Sequence, residues 1–251
     1  MPARERVDLL LVARGLAPSR EKAQALILAG RVYSGDRRVD KAGHRLPVDV
    51  SLQVREGLPY VGRGGLKLEA ALDRFGVDPA GKRCLDVGAS TGGFTDCLLQ
   101  RDAAHVFAVD VGYGQLAWKL RSDVRVTVLE RTNFRTISDD VLPHDLELAV
   151  VDVSFISLRL ILPRLRVFLR NGADAVVLVK PQFEAGRKNV GKGGIVRDLR
   201  VRREALAGIL AAAAEEGFGI RGSMECPVPG ADGNVEFLAH LTKVLSDGSS
   251  G

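Results

Sequence analysis

The stretch Cys84-Leu-Asp-Val-Gly-Ala-Ser-Thr-Gly-Gly-Phe94 joins a short apolar run to a glycine-rich loop. The apolar run predicts a buried strand, and the residues from Phe94 onward predict a helix. Glycines between a strand and a helix let the backbone turn tightly and approach a ligand. The stretch therefore predicts a nucleotide-like ligand at the carboxyl end of the first strand of an α/β sheet, with a purely structural turn as the alternative.

The loop departs from two common phosphate-binding patterns. Phe94 stands where a P-loop carries its lysine. Ala89 and Ser90 follow Gly88, which breaks the GxGxxG pattern of dinucleotide-binding folds. The loop is therefore neither a P-loop nor a GxGxxG dinucleotide-binding loop.

Four further apolar runs follow the loop, each succeeded by polar or helix-forming sequence. They are Val106–Val109, Val126–Leu129, Leu148–Val151 and Ala175–Val179. Uniformly apolar runs are typical of parallel strands that are buried on both faces. With a helix over Arg202–Glu216 and a late strand over Val235–Leu241, they predict a doubly wound α/β domain at residues 66–245, and residues 246–251 are expected to form a flexible tail.

The first 57 residues have a different pattern. Apolar residues recur at helical spacing over Val7–Leu11, and a second helix is predicted to begin at Ser19 as N-cap and to end at Gly30. Short strand-like pieces follow it. We predict a small α+β module over residues 1–57, joined by a glycine-rich linker over residues 58–65 to the larger domain.

Positive charge is concentrated in the first quarter of the chain. The chain has 251 residues and a net charge of +5. Residues 1–67 hold 13 Lys and Arg against 7 Asp and Glu, a net charge of +6, so the remaining residues carry −1. A basic module beside a nearly neutral domain predicts that the module holds a polyanion while the domain does chemistry. A solvated basic surface without a partner is the alternative.

Other features of the sequence argue against a membrane, secreted, disulfide-rich or metal-binding protein. No stretch reaches the roughly 18 uncharged apolar residues of a membrane span, and the first residues lack the apolar core of a secretory signal. Cys84, Cys97 and Cys226 are widely spaced and odd in number, which suits neither disulfides nor a zinc knuckle. The four histidines fall in no ligand spacing. We therefore expect a soluble cytoplasmic protein with reduced thiols and no metal site.

A candidate cofactor contact lies at or just after the end of the second and of the third predicted strand. Asp110 ends the second strand, where a carboxylate can accept hydrogen bonds from both ribose hydroxyls of an adenosine ligand. Asn133, after the third strand, is placed to reach the adenine side. An acid at this position suits NAD as well as S-adenosylmethionine, so Asp110 alone leaves both cofactors open.

Four charged residues lie at places that the predicted fold should bring together. They are Lys67, Asp152, Lys180 and Glu236. Ionised groups at the ends of buried strands are costly unless they are paired, so each requires a partner. Any one of them alone is also compatible with a structural ion pair.

Several motifs resemble known families. Leu85-Asp-Val-Gly88 resembles the first motif of class I methyltransferases, and the Lys-Asp-Lys-Glu series resembles the ribose 2′-O-methyltransferases of the FtsJ type. Val7–Leu10, Ser19–Ala23 and Gly30–Val32 resemble the S4-type RNA-binding module. The whole chain is similar to the TlyA family, which joins such a module to an FtsJ-type domain. The motifs that carry this resemblance in the larger domain are Arg63–Leu68, Gly88–Thr95, Asp110–Leu116, Asp152–Ser157, Lys180–Glu184 and Gly233–Glu236.

The resemblance implies a Rossmann-like class I methyltransferase that uses S-adenosylmethionine to methylate a ribose 2′-oxygen, of cytidine, in ribosomal RNA or a ribosomal subunit, with large-subunit RNA favoured by the short C-terminus. The implied cofactor contacts are Asp86, Gly88, Ser90, Gly92, Gly93, Asp110 and Asn133. The implied RNA contacts of the first module are Arg20, Lys22, Arg31, Arg37 and Arg38. A non-catalytic ribosome-assembly factor and a haemolysin-like membrane-active protein are the alternatives.

The expected chemistry explains these residue types. A ribose hydroxyl is a poor nucleophile at neutral pH, so the enzyme must deprotonate, align and desolvate it. We assign to Lys180 the role of base or of fixed cation beside the forming alkoxide, to Asp152 its orientation, and to Lys67 with Glu236 the positioning of the ribose. Tyr113 and Trp118 are able to stack on a base, but we expect Trp118 to pack in the core.

Overall fold

The computed structural model describes residues 3–28, 30–35, 37–54, 57–230 and 233–245. The chain divides into two compact units, Met1–Leu58 and Pro59–Gly251. The predicted tail, residues 246–251, lies outside the described residues.

The first unit is a small α+β fold around one apolar core. Its elements are β1 (Arg4–Arg6), α1 (Val7–Ala13), α2 (Arg20–Leu28), β2 (Val32–Ser34), β3 (Arg37–Arg38), β4 (Arg45–Pro47) and β5 (Gln53–Val54). Strand β2 pairs with β3 and β5, and β1 pairs with β4, all antiparallel. Ser19 caps α2 as predicted, because its Oγ accepts a hydrogen bond from the Lys22 backbone N–H at 3.2 Å. The buried core includes Val7, Leu11, Ala23 and Val32.

The second unit alternates strands and helices. Its strands are β6 (Arg83–Val87), β7 (His105–Val109), β8 (Val126–Leu129), β9 (Leu146–Val151), β10 (Leu169–Val179), β11 (Phe218–Glu225) and β12 (Phe237–Lys243). Its helices are α3 (Gly64–Phe75), α4 (Gly93–Gln100), α5 (Trp118–Arg121), α6 (Leu162–Phe168), α7 (Pro181–Glu184) and α8 (Leu199–Glu215). Short 3-10 turns lie at Phe134–Thr136, Leu158–Leu160 and Arg187–Asn189.

The seven strands form one sheet with the order β11-β12-β10-β9-β6-β7-β8. Strands β6 to β10 are mutually parallel, and β12 runs antiparallel to both of its neighbours. The chain first builds outward from β6 through β7 and β8 and then returns to place β9 on the other side. Such a switch point opens a cleft at the carboxyl ends of the strands. The predicted doubly wound α/β fold is confirmed.

Apolar side chains cover both faces of this sheet. Leu68 and Leu72 of α3 pack with Leu98 of α4 on one face. Leu165 of α6 and Ile209 of α8 pack on the other. Burial on both faces explains why the parallel strands are apolar throughout. None of the described helices is long and apolar enough to cross a membrane.

Candidate active site

Residues 60–63, part of the predicted linker, lead directly into α3, which begins at Gly64. The Tyr60 ring is buried and packs on Gly65, where a Cβ atom would lie 2.2 Å from the ring. The Val61 backbone N–H donates a hydrogen bond to Asp96 Oδ2 at 2.8 Å. Glycine is therefore required at position 65, and this packing sets the start of the helix that carries Lys67.

The glycines of the first loop permit close approaches of backbone. Gly88 has a φ of +87°, and a Cβ atom there would lie 2.3 Å from the Asp152 carbonyl oxygen. Gly92, with a φ of +96°, packs against Leu120, and Gly93 begins α4 against the backbone of α3. Gly88 thus lets the loop approach the backbone at the end of β9, while Gly92 and Gly93 let the start of α4 pack closely against α5 and α3.

Asp86 lies at the end of β6 and is fully buried. Its Oδ2 accepts a hydrogen bond from Thr95 Oγ at 2.6 Å, and its Oδ1 has no partner among the described residues. Burial raises the pKa of Asp86 to about 7. The carboxyl group is therefore anchored beneath the first turn of α4, and one of its oxygens is left for a further donor.

A cavity of about 370 Å³ opens at the carboxyl ends of the strands. Its walls come from the loops after β6, β7, β8 and β9. Predicted site residues among them are Gly88, Ser90, Asp110, Asn133 and Asp152. Cavities of about 300–1,000 Å³ suit small ligands and cofactors.

Asp110 is held at the edge of this cavity by two backbone groups. Its Oδ2 accepts from the Ser90 N–H at 2.8 Å, and its Oδ1 accepts from the Gly112 N–H at 2.7 Å. A carboxylate offers about four lone-pair sites, so these bonds leave capacity for ribose hydroxyls. Asn133 Oδ1 caps the following 3-10 turn by accepting from the Arg135 N–H at 3.1 Å.

The four predicted catalytic residues form two ion pairs. In the first, Lys67 Nζ lies 2.6 Å from Glu236 Oε2, and the side chains are only 11% and 2% exposed. Gly230 is required beside this pair, because a Cβ atom there would lie 2.1 Å from Glu236 Oε1. The pair joins α3 to the residue that precedes β12.

In the second pair, Lys180 Nζ lies 2.6 Å from Asp152 Oδ1. Lys180 Nζ also donates to Ser154 Oγ at 2.8 Å. The two charged residues follow β9 and β10, which pair in parallel register, so the sheet itself sets their spacing. Ser154 was not predicted; its place two residues after Asp152 was the available signal.

Asp152 connects the second pair to the cavity. It lines the cavity together with Ser154, while Lys180 lies behind them and is only 10% exposed. The Lys180 ammonium group is therefore held by one hydrogen bond and one ion pair, to two residues that line a cofactor-sized cavity. From there it can act on a hydroxyl that is placed beside Asp152 and Ser154.

In the first unit, the predicted RNA contact Arg20 takes part in a structural ion pair. Asp8 is fully buried, and its Oδ2 lies 2.9 Å from Arg20 Nε and from Arg6 Nη2. Gln24 Nε2 donates to the same oxygen at 3.0 Å. The Arg6 guanidinium holds the pKa of Asp8 well below its usual range. Sequence reasoning missed Asp8, since an acid in the first turn of a helix is common at exposed positions as well.

The other predicted RNA contacts differ in exposure. Lys22 on α2 and Arg37 on β3 are exposed. Arg38 is also exposed and pairs with Asp40 at 2.6 Å. Arg31 is half-buried, and its Nε lies 3.6 Å from where a Cβ atom of Gly57 would be.

The prediction that Trp118 packs in the core is wrong. Its side chain is 77% exposed, because Leu120 is the buried residue of the four-residue helix α5. Tyr113 is 68% exposed, and the Arg131 guanidinium carbon lies 4.2 Å from its ring centroid. Both aromatic side chains are accessible.

The three cysteines, which were predicted to be reduced, are free, and all three are buried. Burial raises the pKa of Cys84 to about 12 and that of Cys97 to about 11. In the part of the chain that the structure describes, no group of three or more His, Cys, Asp or Glu is arranged to hold a metal ion.

Comparisons with known proteins agree with this arrangement. The FtsJ-like methyltransferase model matches residues 60–243, and the S4 domain model matches residues 5–51. The 16S/23S rRNA (cytidine-2′-O)-methyltransferase TlyA of Mycobacterium tuberculosis is 47% identical over 243 residues, which are 96% of this chain and 91% of that protein. Hemolysin A of Brachyspira hyodysenteriae is 42% identical over 237 residues, which are 94% of this chain and 99% of that protein.

Solved structures share the fold. A protein from Streptococcus thermophilus is 46% identical, with a TM-score of 0.75 over 97% of this chain and 90% of that chain. An S-adenosylmethionine-dependent methyltransferase from Mesorhizobium loti, at 18% identity, has a TM-score of 0.54 over 72% of this chain and 100% of that chain. The chain therefore belongs to the TlyA family of FtsJ-like methyltransferases and carries an S4 domain ahead of the methyltransferase domain.

Proposed function

We propose that this protein transfers a methyl group from S-adenosylmethionine to the ribose 2′-oxygen of a cytidine in ribosomal RNA, in the cytoplasm. The observation that carries the proposal is the Lys180–Asp152 pair at the wall of the cofactor-sized cavity. The name of the TlyA relative, a 16S/23S rRNA (cytidine-2′-O)-methyltransferase, supports the choice of cytidine and rRNA. It covers both 16S and 23S RNA, so both are candidate substrates here.

The residues around the cavity fit S-adenosylmethionine. Asp110 has acceptor capacity for ribose hydroxyls, and Gly88 and Ser90 bring backbone to the cavity wall. Asn133 lines the same cavity after β8, at the position proposed for the adenine. The free Oδ1 of Asp86 offers an acceptor beneath the loop. The cofactor would supply an already activated methyl group, so the protein's own groups act mainly on the acceptor hydroxyl.

Lys180 is the group that we assign to the reacting oxygen. Its Nζ is fixed by the Asp152 carboxylate and the Ser154 hydroxyl, so its position does not depend on the substrate. Either it removes the 2′-hydroxyl proton, or its positive charge stabilises the forming alkoxide. Asp152 orients it in both cases.

Lys67 and Glu236 are assigned to ribose positioning. They form a buried pair between the first helix of the domain and the residue directly before its last strand. An ion pair that is almost completely buried can hold a sugar in one orientation. Correct orientation of the reactants contributes a large share of the rate enhancement in group transfer.

The first module is assigned to RNA binding. Lys22, Arg37 and Arg38 present exposed positive charge on one helix and one strand of this unit. Each phosphate contact releases counterions and so contributes affinity that depends on salt. We therefore assign RNA binding to residues 1–57 and the methyl-transfer reaction to residues 66–245.

Mapping of 2′-O-methyl groups on rRNA tests this function. Ribosomal RNA from cells with and without the gene should differ at a cytidine, and the purified protein should restore that mark from labelled S-adenosylmethionine. RNA binding without methyl transfer would favour an assembly factor. Leakage of liposomes without methyl transfer would favour a membrane-active protein.

A further inference from the structure

A loop and a short helix of the methyltransferase domain contact each other in matching order. The loop, called the first loop below, runs from Asp152 to Leu158 after β9, and the helical segment runs from Lys180 through α7 to Glu184 after β10. At one end Lys180 contacts Asp152 and Ser154. In the middle the rings of Phe183 and Phe155 lie 5.1 Å apart, centroid to centroid.

Glu184 makes the contacts at the other end. Its Oε2 accepts a hydrogen bond from Ser157 Oγ at 2.5 Å, and its Oε1 accepts from the Leu158 N–H at 2.9 Å. Ser157 Oγ in turn caps the 3-10 turn by accepting from the Arg159 N–H at 3.2 Å. Both carboxylate oxygens of Glu184 are therefore bound to the far end of the first loop.

The first loop needs to be held at both ends. Phe155 has a φ of +64°, in the left-handed region that a phenylalanine rarely adopts. Such a conformation persists only where the surrounding contacts impose it. At the near end the Asp152 N–H donates to the Val87 carbonyl at 2.9 Å, and at the far end Glu184 supplies the restraint.

We propose that Glu184 is a positioning residue for methyl transfer. Its carboxylate fixes the loop of Asp152 and Ser154 against the segment that begins at Lys180, and so keeps the Lys180 ammonium group in place. This inference rests on the proposed function, because it gives Glu184 an effect only through Lys180. Glu184 does not touch the cofactor or the ribose in this account.

The test compares single-turnover rates of Glu184→Ala and Glu184→Gln at saturating cofactor and RNA, from about pH 6 to 9. Small displacements of a reacting group can cost up to about 100-fold in rate, so we expect Glu184→Ala to lose at least about 10-fold. Glu184→Gln, which keeps an acceptor for the Leu158 N–H, should lose less. The matched control is Glu204→Gln, since Glu204 is an exposed carboxylate of α8 that pairs with the exposed Arg200.

Two further readouts separate positioning from general loosening of the fold. The dissociation constants for S-adenosylmethionine and RNA should stay within about 2-fold of wild type, and the pH–rate profile of Glu184→Ala should be displaced, because the surroundings of Lys180 change. A loss that is uniform with pH and accompanied by weaker cofactor binding would overturn the proposal. So would wild-type rates in both variants. If Glu184→Ala does not fold, Glu184→Gln carries the same comparison.

An error in the proposed function would give a different experimental result from an error in the role of Glu184. Wild-type activity in Lys180→Ala would remove Lys180 from the mechanism, whatever Glu184 does. An inactive Lys180→Ala beside a fully active Glu184→Ala would overturn only the role of Glu184.

Discussion

Lys67 and Glu236 are 169 positions apart in the chain, and their charged groups lie 2.6 Å apart in the interior of the methyltransferase domain. One stands on the first helix of the domain and the other directly before its last strand. The pair can therefore form only when the whole sheet has assembled. Two residues of the proposed site therefore reach their positions only in the folded domain.

Removal of one partner of this pair should be costly. Lys67→Ala leaves the buried Glu236 carboxylate without its cation, and breaking a buried pair in this way typically destabilises a protein by about 3–5 kcal/mol. The double variant Lys67→Met, Glu236→Leu should recover much of that loss while remaining inactive. Urea unfolding curves provide the measurement. A single variant as stable as wild type would mean that Glu236 finds another partner.

Substitution of Lys180 should lower the rate of methyl transfer and leave the affinity for the cofactor unchanged. General-base catalysis or alkoxide stabilisation by one group typically accounts for about 10²–10⁴ in rate, so Lys180→Ala should fall by that factor or below detection. Asp110→Ala is the matched comparison, because it should weaken S-adenosylmethionine binding instead. Single-turnover rates and cofactor titrations together make the distinction.

Lys180→Arg separates the two roles of the ammonium group. If Lys180 is the base, the wild-type rate should rise with pH and the arginine variant should be inactive, since a guanidinium stays protonated in this range. Substantial activity in Lys180→Arg would instead support a fixed positive charge.

Asp86 should make the stability of the domain depend on pH. Burial raises its pKa to about 7, so the folded protein keeps a proton that the unfolded chain loses above about pH 4. The stability from this group is present in full below its ordinary pKa and is lost as pH rises through about 7. Between about pH 4 and pH 7, the unfolding free energy of wild type should therefore fall relative to that of Asp86→Asn, which has no charge to bury, and above about pH 7 the difference should stay constant. The exposed Asp145→Asn serves as control, and parallel curves for Asp86→Asn and wild type would refute the linkage.

The exposed cations of the first module should set the salt dependence of RNA binding. Each phosphate contact contributes about 0.7–0.9 to the slope of log affinity against log salt. Lys22→Gln with Arg37→Gln should therefore reduce that slope by roughly 1.5 units and leave cofactor affinity unchanged. Arg83→Gln, at the amino end of β6, is the control. An unaltered slope in the double variant would place the RNA contacts elsewhere.

The sequence predicted the parallel strands well because each is an uninterrupted apolar run, which is the pattern that burial on both faces imposes. It did not predict β11 over Phe218–Glu225. This edge strand has one covered face and exposes side chains such as Arg221 on the other, so its apolar residues are too sparse to stand out. Nor did it predict β1, which consists of three charged residues and pairs with the distant β4.

The site was predicted at the level of its charged residues, because each follows a recognisable strand or motif. Their pairing was anticipated in part, with Asp152 orienting Lys180 and Lys67 grouped with Glu236. What escaped prediction were the uncharged or distant supports, such as Ser154 beside Lys180 and Asp8 beneath Arg20. Those contacts depend on loop geometry, and local sequence carries little information about it.

The ribose 2′-oxygen is the proposed acceptor atom of the methyl group. The measurement that tests it most directly is methyl transfer to an rRNA fragment that carries a single 2′-deoxycytidine at the target position, compared with the unmodified fragment under single-turnover conditions. We expect the deoxy substrate to bind with similar affinity and to accept no methyl group, since the hydroxyl that Lys180 is proposed to activate is missing. Methylation of the deoxy substrate at the wild-type rate would show that the acceptor is not the 2′-oxygen and would contradict the account.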